Sequence, residues 1–287
     1  MAFKNTFKTF VLLGAIGGLL VTVGSVLGGS GGAAIGMLLG FVIVGGSYWF
    51  SDRLAIKSAG AVEVTEAEAP ELVAAVRDLA TRAELPMPRV FVSPSAQPNA
   101  FATGRNPSHA AIAVTQGLLD QCPLDELRGV LAHELAHVRH RDILIGSVAA
   151  AVATGISFVA NMALWASMFG GSDNDDGPNP LVLILTAILA PIAATVLQLA
   201  LSRAREFEAD RGGAEILGDS MPLARALKRL EDAAQRTPME ISPQQAAAYI
   251  VNPLTGRKVQ FAGLFLTHPP MDERIARLEA MRTIGTT

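Results

Sequence analysis

The sequence predicts a membrane α-helical protein of about four transmembrane helices joined to a soluble α+β part. Three observations carry that expectation. Half of the 287 residues are hydrophobic while only 17% are charged, the balance of a membrane protein. The uncharged residues are gathered into runs long enough to cross a bilayer, and the polar stretches between them carry helix-like and strand-like patterns. The net charge is −3, from 23 basic and 26 acidic residues, which gives no basic field for nucleic acid to bind. The single cysteine, Cys122, leaves no internal disulfide framework and no cysteine-based zinc site.

Residues 9–51 contain no charge, and about 20 residues suffice to cross roughly 30 Å of hydrocarbon. Two spans are therefore expected in 1–51, joined at the "GGSGG" of 28–32. A cleaved signal peptide suits this region less well, because the run is too long and no small-residue cleavage pattern leads into polar sequence. The spaced pairs Gly14/Gly18 and Gly36/Gly40 suit closely packed membrane helices. Further uncharged runs at 143–172 and 181–202 flank the acidic turn "DNDDGPNP" and predict a second transmembrane hairpin over 143–202. In this four-span arrangement Lys4, Lys8, Arg53, Lys57, Arg139, Arg141, Arg203 and Arg205 all fall on one side. The positive-inside rule then makes both termini and the soluble mass cytoplasmic.

The soluble part comes in two pieces. Residues 52–142 open with a helical pattern in "EAPELVAAVRDLATRAEL", followed by strand-like "RVFVS" and "AAIAVT" around the turn-rich "NAFATGRNPSH". This predicts a small mixed unit with a hairpin or short sheet. Residues 123–141, "PLDELRGVLAHELAHVRHR", read as a helix with acids early and arginines late. In 203–287 the stretches "SRAREFEADRGGAEILG", "MPLARALKRLEDAAQR" and "MDERIARLEAMR" are helical, and 236–267 has no regular pattern.

Chemistry concentrates where these pieces meet the apolar runs. In "HELAH", His133 and His137 stand four apart and share a helix face, so both can bind one Zn²⁺ with Glu134 beside it as general base. A catalytic zinc needs a third protein ligand and an open position. The candidates are His140, His268, Glu206, Glu208 and Asp210. His140 is poorly placed on the same straight helix. In "REFEAD", Glu206 and Asp210 share a face, so Glu206 can ligate while Asp210 orients a histidine through its second nitrogen. Glu208 projects from the other side. An oxyanion partner is sought among His268, Asn99 and the arginines of "SRAR", Arg203 first. The prolines after His268 equally suit a helix start, and Arg203 and Arg205 equally suit membrane-flanking anchors.

Taken together, "PNAFATG" at 98–104, "HELAH" followed by Asp142, "SRAREFEAD" at 202–210 and "THPPMDERIARL" at 267–278, between two pairs of spans, resemble the HtpX family of membrane-bound zinc metalloproteases, relatives of the CAAX prenyl endopeptidases. The resemblance implies a cytoplasmic α+β zincin-like metalloprotease domain on the four-span membrane α-helical frame. It also implies one Zn²⁺ per chain on His133, His137 and Glu206, Glu134 as catalytic glutamate, and "NAFATG" as an edge strand that holds an extended substrate. The expected partners are unfolded or membrane-protein polypeptides and the lipid bilayer, with no nucleic acid. The expected setting is a bacterial inner membrane, with hydrolysis of damaged membrane proteins by water that zinc activates and Glu134 deprotonates. A processing protease with one defined substrate and a non-catalytic zinc scaffold are the alternatives; an intact Glu134 speaks against the scaffold. A metal transporter is disfavoured because no span carries an ionisable residue at its midplane.

Overall fold

The computed structural model describes residues 2–149, 152–153, 203–236, 249–250 and 269–284. Helix α1 occupies Ala2–Ser58, but its path doubles back. Gly29 takes a left-handed conformation at φ 57°, which glycine adopts without a Cβ penalty. Beyond it the chain returns along itself: a methyl added to Gly36 would collide with the Leu20 carbonyl, and one on Gly40 would lie 3.4 Å from Gly17 Cα. Gly14 and Gly18 have nothing comparable nearby, so one of the two glycine pairs makes a close contact and the other does not.

The chain reverses inside the "GGSGG" of 28–32, at Gly29. Among the described residues no single helix is long and apolar enough to cross a membrane, although one bent pair, Gly29–Ile43 and Tyr48–Ser58, meeting at 62°, has the length and composition. The spans expected at 143–172 and 181–202 lie outside the described residues, except for a helix, α5, over 142–149 and the helical pair 152–153.

A four-stranded sheet forms the centre of the soluble part, with strands β1 (Val62–Glu63), β2 (Arg89–Ser93), β3 (Ala100–Gly104) and β4 (Ala110–Thr115) in the order β1-β2-β4-β3. The stretches "RVFVS" and "AAIAVT" are direct neighbours but run parallel, with Phe91 opposite Ala113. The hairpin is instead β3 to β4, with Ala102 opposite Ile112. Every residue of β4 is buried, which is why its pattern is a continuous apolar run without alternation. Gly104, at φ 136°, leaves no room for a Cβ beside the His109 backbone, and it turns the chain into the short 3-10 helix Pro107–His109.

Helices α2 (Pro70–Arg82), α3 (Gln116–Gln121) and α4 (Leu124–His140) follow their strands. Leu79, Val130 and Leu131 pack with Val90 and Ile112 on one sheet face. The other face, bearing Phe91 and Phe101, is covered by Ala55 and Ile56 of α1. Helices α6 (Arg203–Leu217), α7 (Met221–Arg236) and α8 (Met271–Ile284) complete the described part. Two of them dock on α4 through glycines: a methyl on Gly129 would lie 2.6 Å from Leu223 N of α7, and one on Gly213 of α6 would lie 2.9 Å from His133 N. Both distances are shorter than a Cβ tolerates, so only glycine permits these approaches.

The "HELAH" helix does not run on into the apolar segment. It stops at His140, where Arg141 adopts a left-handed conformation (φ 59°, ψ 33°) and donates its N–H to Val138 O at 3.1 Å. This C-terminal cap re-aims the chain before α5.

Candidate metal centre

His133 and His137 are one turn apart on the same face of α4, with ring centroids 4.7 Å apart. The docking of α6 at Gly213 brings in Glu206 from its first turn. Glu206 Oε2 lies 3.8 Å from His133 Nε2 and Oε1 lies 3.7 Å from His137 Nε2, and one donor atom from each of the three residues lies within 4.8 Å of the others. His133, Glu134 and Glu206 are buried, and the His137 side chain is 16% exposed.

Each ring turns its other nitrogen to a carboxylate. His133 Nδ1 is 2.9 Å from Asp210 Oδ1, and His137 Nδ1 is 3.4 Å from Asp142 Oδ2. A nitrogen facing a carboxylate is the one that carries hydrogen, which leaves Nε2 with its lone pair. The two Nε2 atoms face each other at 3.2 Å. Two lone pairs so close repel unless a proton or a metal ion lies between them, and Glu206 presents negative oxygens to the same point. Two imidazoles and a carboxylate fit a zinc-type ion with one position left open.

With no ion present, burial shapes the titration of the set. It drives His133 down to about 4, against the pull of Asp210. Burial also opposes charge on His137, but the Asp142 hydrogen bond, Glu206 and Glu134 outweigh it and raise this ring to about 9. Glu134 is pushed up to about 7, first by burial and then by Glu206. Its carboxylate accepts the Ala102 N–H of β3, so the sheet edge and the glutamate are joined directly. Asp210 sits at about 2 despite burial, because Arg274 and His133 favour its charged form.

The other candidates fall elsewhere. Asn99 is fully buried at the start of β3, where its backbone pairs with Thr115 and its amide oxygen accepts the Ala100 N–H at 3.1 Å. Glu208 is partly exposed, and the His140 ring edges the Gly212 contact between α4 and α6. Arg203 is the first residue of α6, with its side chain outside the described part. His268 lies outside the described residues.

Two side chains at the centre had no role assigned from sequence: Asp142, named only as the residue that follows "HELAH", and Arg274. Asp142 had one signal: a carboxylate just past a helix C-terminus, where the helix dipole disfavours it, needs a partner. Arg274 had another, since it shares the i,i+4 face of α8 with the buried Leu278, and an arginine on an apolar stripe must be satisfied locally.

A mixed sheet backed by a helix bearing two histidines four apart, with a carboxylate delivered by a second helix, defines a metallopeptidase. The chain belongs to peptidase family M48, whose profile matches residues 66–282. It is 51% identical over 282 residues to "Protease HtpX homolog" of Syntrophobacter fumaroxidans, covering 96% of this chain and 99% of the relative. It is 50% identical over 284 residues to the protein of the same name from Syntrophotalea carbinolica, covering 98% and 100%. The resemblance read from the motifs is thereby borne out. Among solved structures the chain is similar to S. mikatae Ste24p, with a TM-score of 0.50 at 19% identity. That match covers 96% of this chain and 65% of the other, so the chain spans about two thirds of that protein, and the likeness is one of fold.

Proposed function

We propose that this metallopeptidase is a zinc endopeptidase of a bacterial inner membrane that cuts cytoplasmic segments of misfolded or damaged membrane proteins. The observation that carries the reading is the inward-facing pair of Nε2 atoms beside Glu206. His133, His137 and Glu206 are the residues that would hold the ion. When bound, zinc supplies Lewis acidity, which polarises a peptide carbonyl and lowers the pKa of water toward about 7.

The chain's own groups do the rest. Glu134 accepts the proton of the attacking water and delivers it to the leaving amine nitrogen. Its raised affinity for a proton in the buried site suits a group that must first take a proton and then give it up. Ala102 N–H holds that carboxylate toward β3, the edge strand along which an extended peptide can pair beyond the contact of Ile250 N–H with Ala100 O.

Membrane placement rests on the charge-free run 9–51 and on the apolar surface of α1, where Phe41 is 80% exposed and Ile35, Leu38 and Trp49 are exposed around it. Such a patch is unfavourable in water and suits lipid. The basic flanks of the four runs support a cytoplasmic protease domain.

The test compares wild type with Glu134→Gln in detergent, measuring bound zinc and cleavage of unfolded casein. Equal zinc with a loss of turnover of about 10²-fold or more is expected, because general base catalysis is worth about that much. Cleavage that survives in the variant would remove Glu134 from the role.

A further inference from the structure

Arg274, on α8, is the largest side chain in the described structure with no exposed surface. A guanidinium is tolerated there only if its donors are met, and its planar fork suits a carboxylate. Nε donates to Asp210 Oδ2 at 2.9 Å and Nη2 to Asp210 Oδ1 at 2.7 Å, a bidentate pair. Nη1 donates to the Ile250 carbonyl at 3.1 Å. The same group borders the metal-binding set itself, with Nη2 3.5 Å from His133 Nε2 and Nη1 3.9 Å from Glu206 Oε2. Ile250 in turn donates its N–H to Ala100 O at 3.1 Å, on the outer edge of β3. Tyr249 beside it rests on Phe101, with ring centroids 4.9 Å apart.

We propose that Arg274 is the positioning residue of the metal centre. By locking both oxygens of Asp210 it fixes the His133 ring with Nε2 turned to the ion. By holding the Ile250 carbonyl it sets the edge of β3 in register with that ion. One side chain thus ties together the two things that must be aligned for cleavage, the metal and the strand that holds the peptide. Surface salt bridges such as Arg89 with Glu63 touch neither. A lysine in the same place has a single ammonium and cannot span Asp210 and Ile250 together. The inference rests on the reading of His133, His137 and Glu206 as the metal ligands.

The experiment uses the full chain in detergent as wild type, Arg274→Lys, Arg274→Met and the double variant Arg274→Met/Asp210→Asn, which removes both buried charges. Zinc affinity is read by competition with a chromogenic chelator, ligand geometry by the visible absorption of the Co²⁺ form, and folding by thermal unfolding of the metal-free protein. Arg274→Lys is expected to bind zinc 10- to 100-fold more weakly, the range found when support of a metal-ligating histidine is lost. Its Co²⁺ spectrum shifts, and kcat falls by more than KM rises. If neither single variant folds, the double variant is expected to fold and still to bind zinc at least 10-fold more weakly.

A folded Lys variant, or a folded double variant, with wild-type zinc affinity and an unchanged Co²⁺ spectrum would reduce Arg274 to an ordinary structural ion pair. Wild type that binds neither Zn²⁺ nor Co²⁺ would overturn the metal reading itself, a distinct failure visible before any variant is compared.

Discussion

His133 and His137 are the same residue type, one turn apart on one helix, yet they are held by different kinds of structure. The His133 side is assembled from afar: Asp210 comes from α6, Arg274 from α8, and both are buried with the ring they serve. The His137 side is local: Asp142 is five residues on, reached across the left-handed turn at Arg141, at 3.4 Å and with the ring partly exposed. The difference teaches where rigidity is concentrated. A short-range partner can follow its histidine through small motions of the helix end, whereas a buried charge network holds its histidine only in one packing arrangement.

The comparison is broken most severely at Asp210. Asp210→Ala leaves the Arg274 charge buried without its partner, which is expected to cost about 3–5 kcal/mol of stability and to abolish zinc binding; calorimetry and metal analysis read both. Gly213→Ala comes next. Its methyl would strike the His133 backbone, and overpacking of this kind costs about 1–3 kcal/mol. Zinc affinity should fall with it, because α6 carries Glu206. Should the alanine variant keep wild-type zinc affinity, close approach of α6 would not be what delivers Glu206.

Asp142→Asn should be milder. The fold is expected to stand, with zinc weakened by about 10-fold, the low end for loss of a histidine's carboxylate partner. A loss as large as that of Asp210→Ala would erase the asymmetry between the two sides.

Acid sharpens the contrast. Asp210 lies at about 2 in the folded chain against about 4 in an unfolded one. A group held below its unfolded value stabilises the fold above that value and loses this contribution as pH falls. Metal-free wild type should therefore lose stability between about pH 4 and pH 2 more steeply than Asp210→Asn does, as thermal unfolding at stepped pH would show. Parallel slopes would mean that Asp210 is not the acid-sensitive member.

The smallest effect is expected on the sheet edge far from the metal. Arg89 and Glu63 lie 2.7 Å apart with side chains 55% and 49% exposed, so solvent screening leaves Arg89→Gln at about 0.5 kcal/mol or less, with zinc affinity and cleavage unchanged.

Much of the site was legible in the residues themselves. The i,i+4 spacing of "HELAH" places two imidazoles on one face whatever surrounds the helix, because helical periodicity is a local property. The spacing in "REFEAD" does the same for Glu206 and Asp210. The helices at 70–82, 124–140, 203–217, 221–236 and 271–284 followed from apolar periodicity for the same reason. The strand "AFATG" was harder, since its small residues and glycine read as turn, and pairing with β4 makes it a strand.

What the sequence by itself determined was therefore the inventory of chemistry: a metal-binding helix, a second helix with two usable carboxylates, and apolar runs beside both. Tertiary structure alone decided the rest. It placed β2 and β4 side by side in parallel and paired β3 with β4 as the hairpin. It also chose which carboxylate serves which histidine and drew Arg274 to within 3.5 Å of His133 Nε2. Those outcomes depend on contacts between residues up to 141 positions apart, set by close packing and by the need to satisfy every buried charge, and no local pattern encodes them.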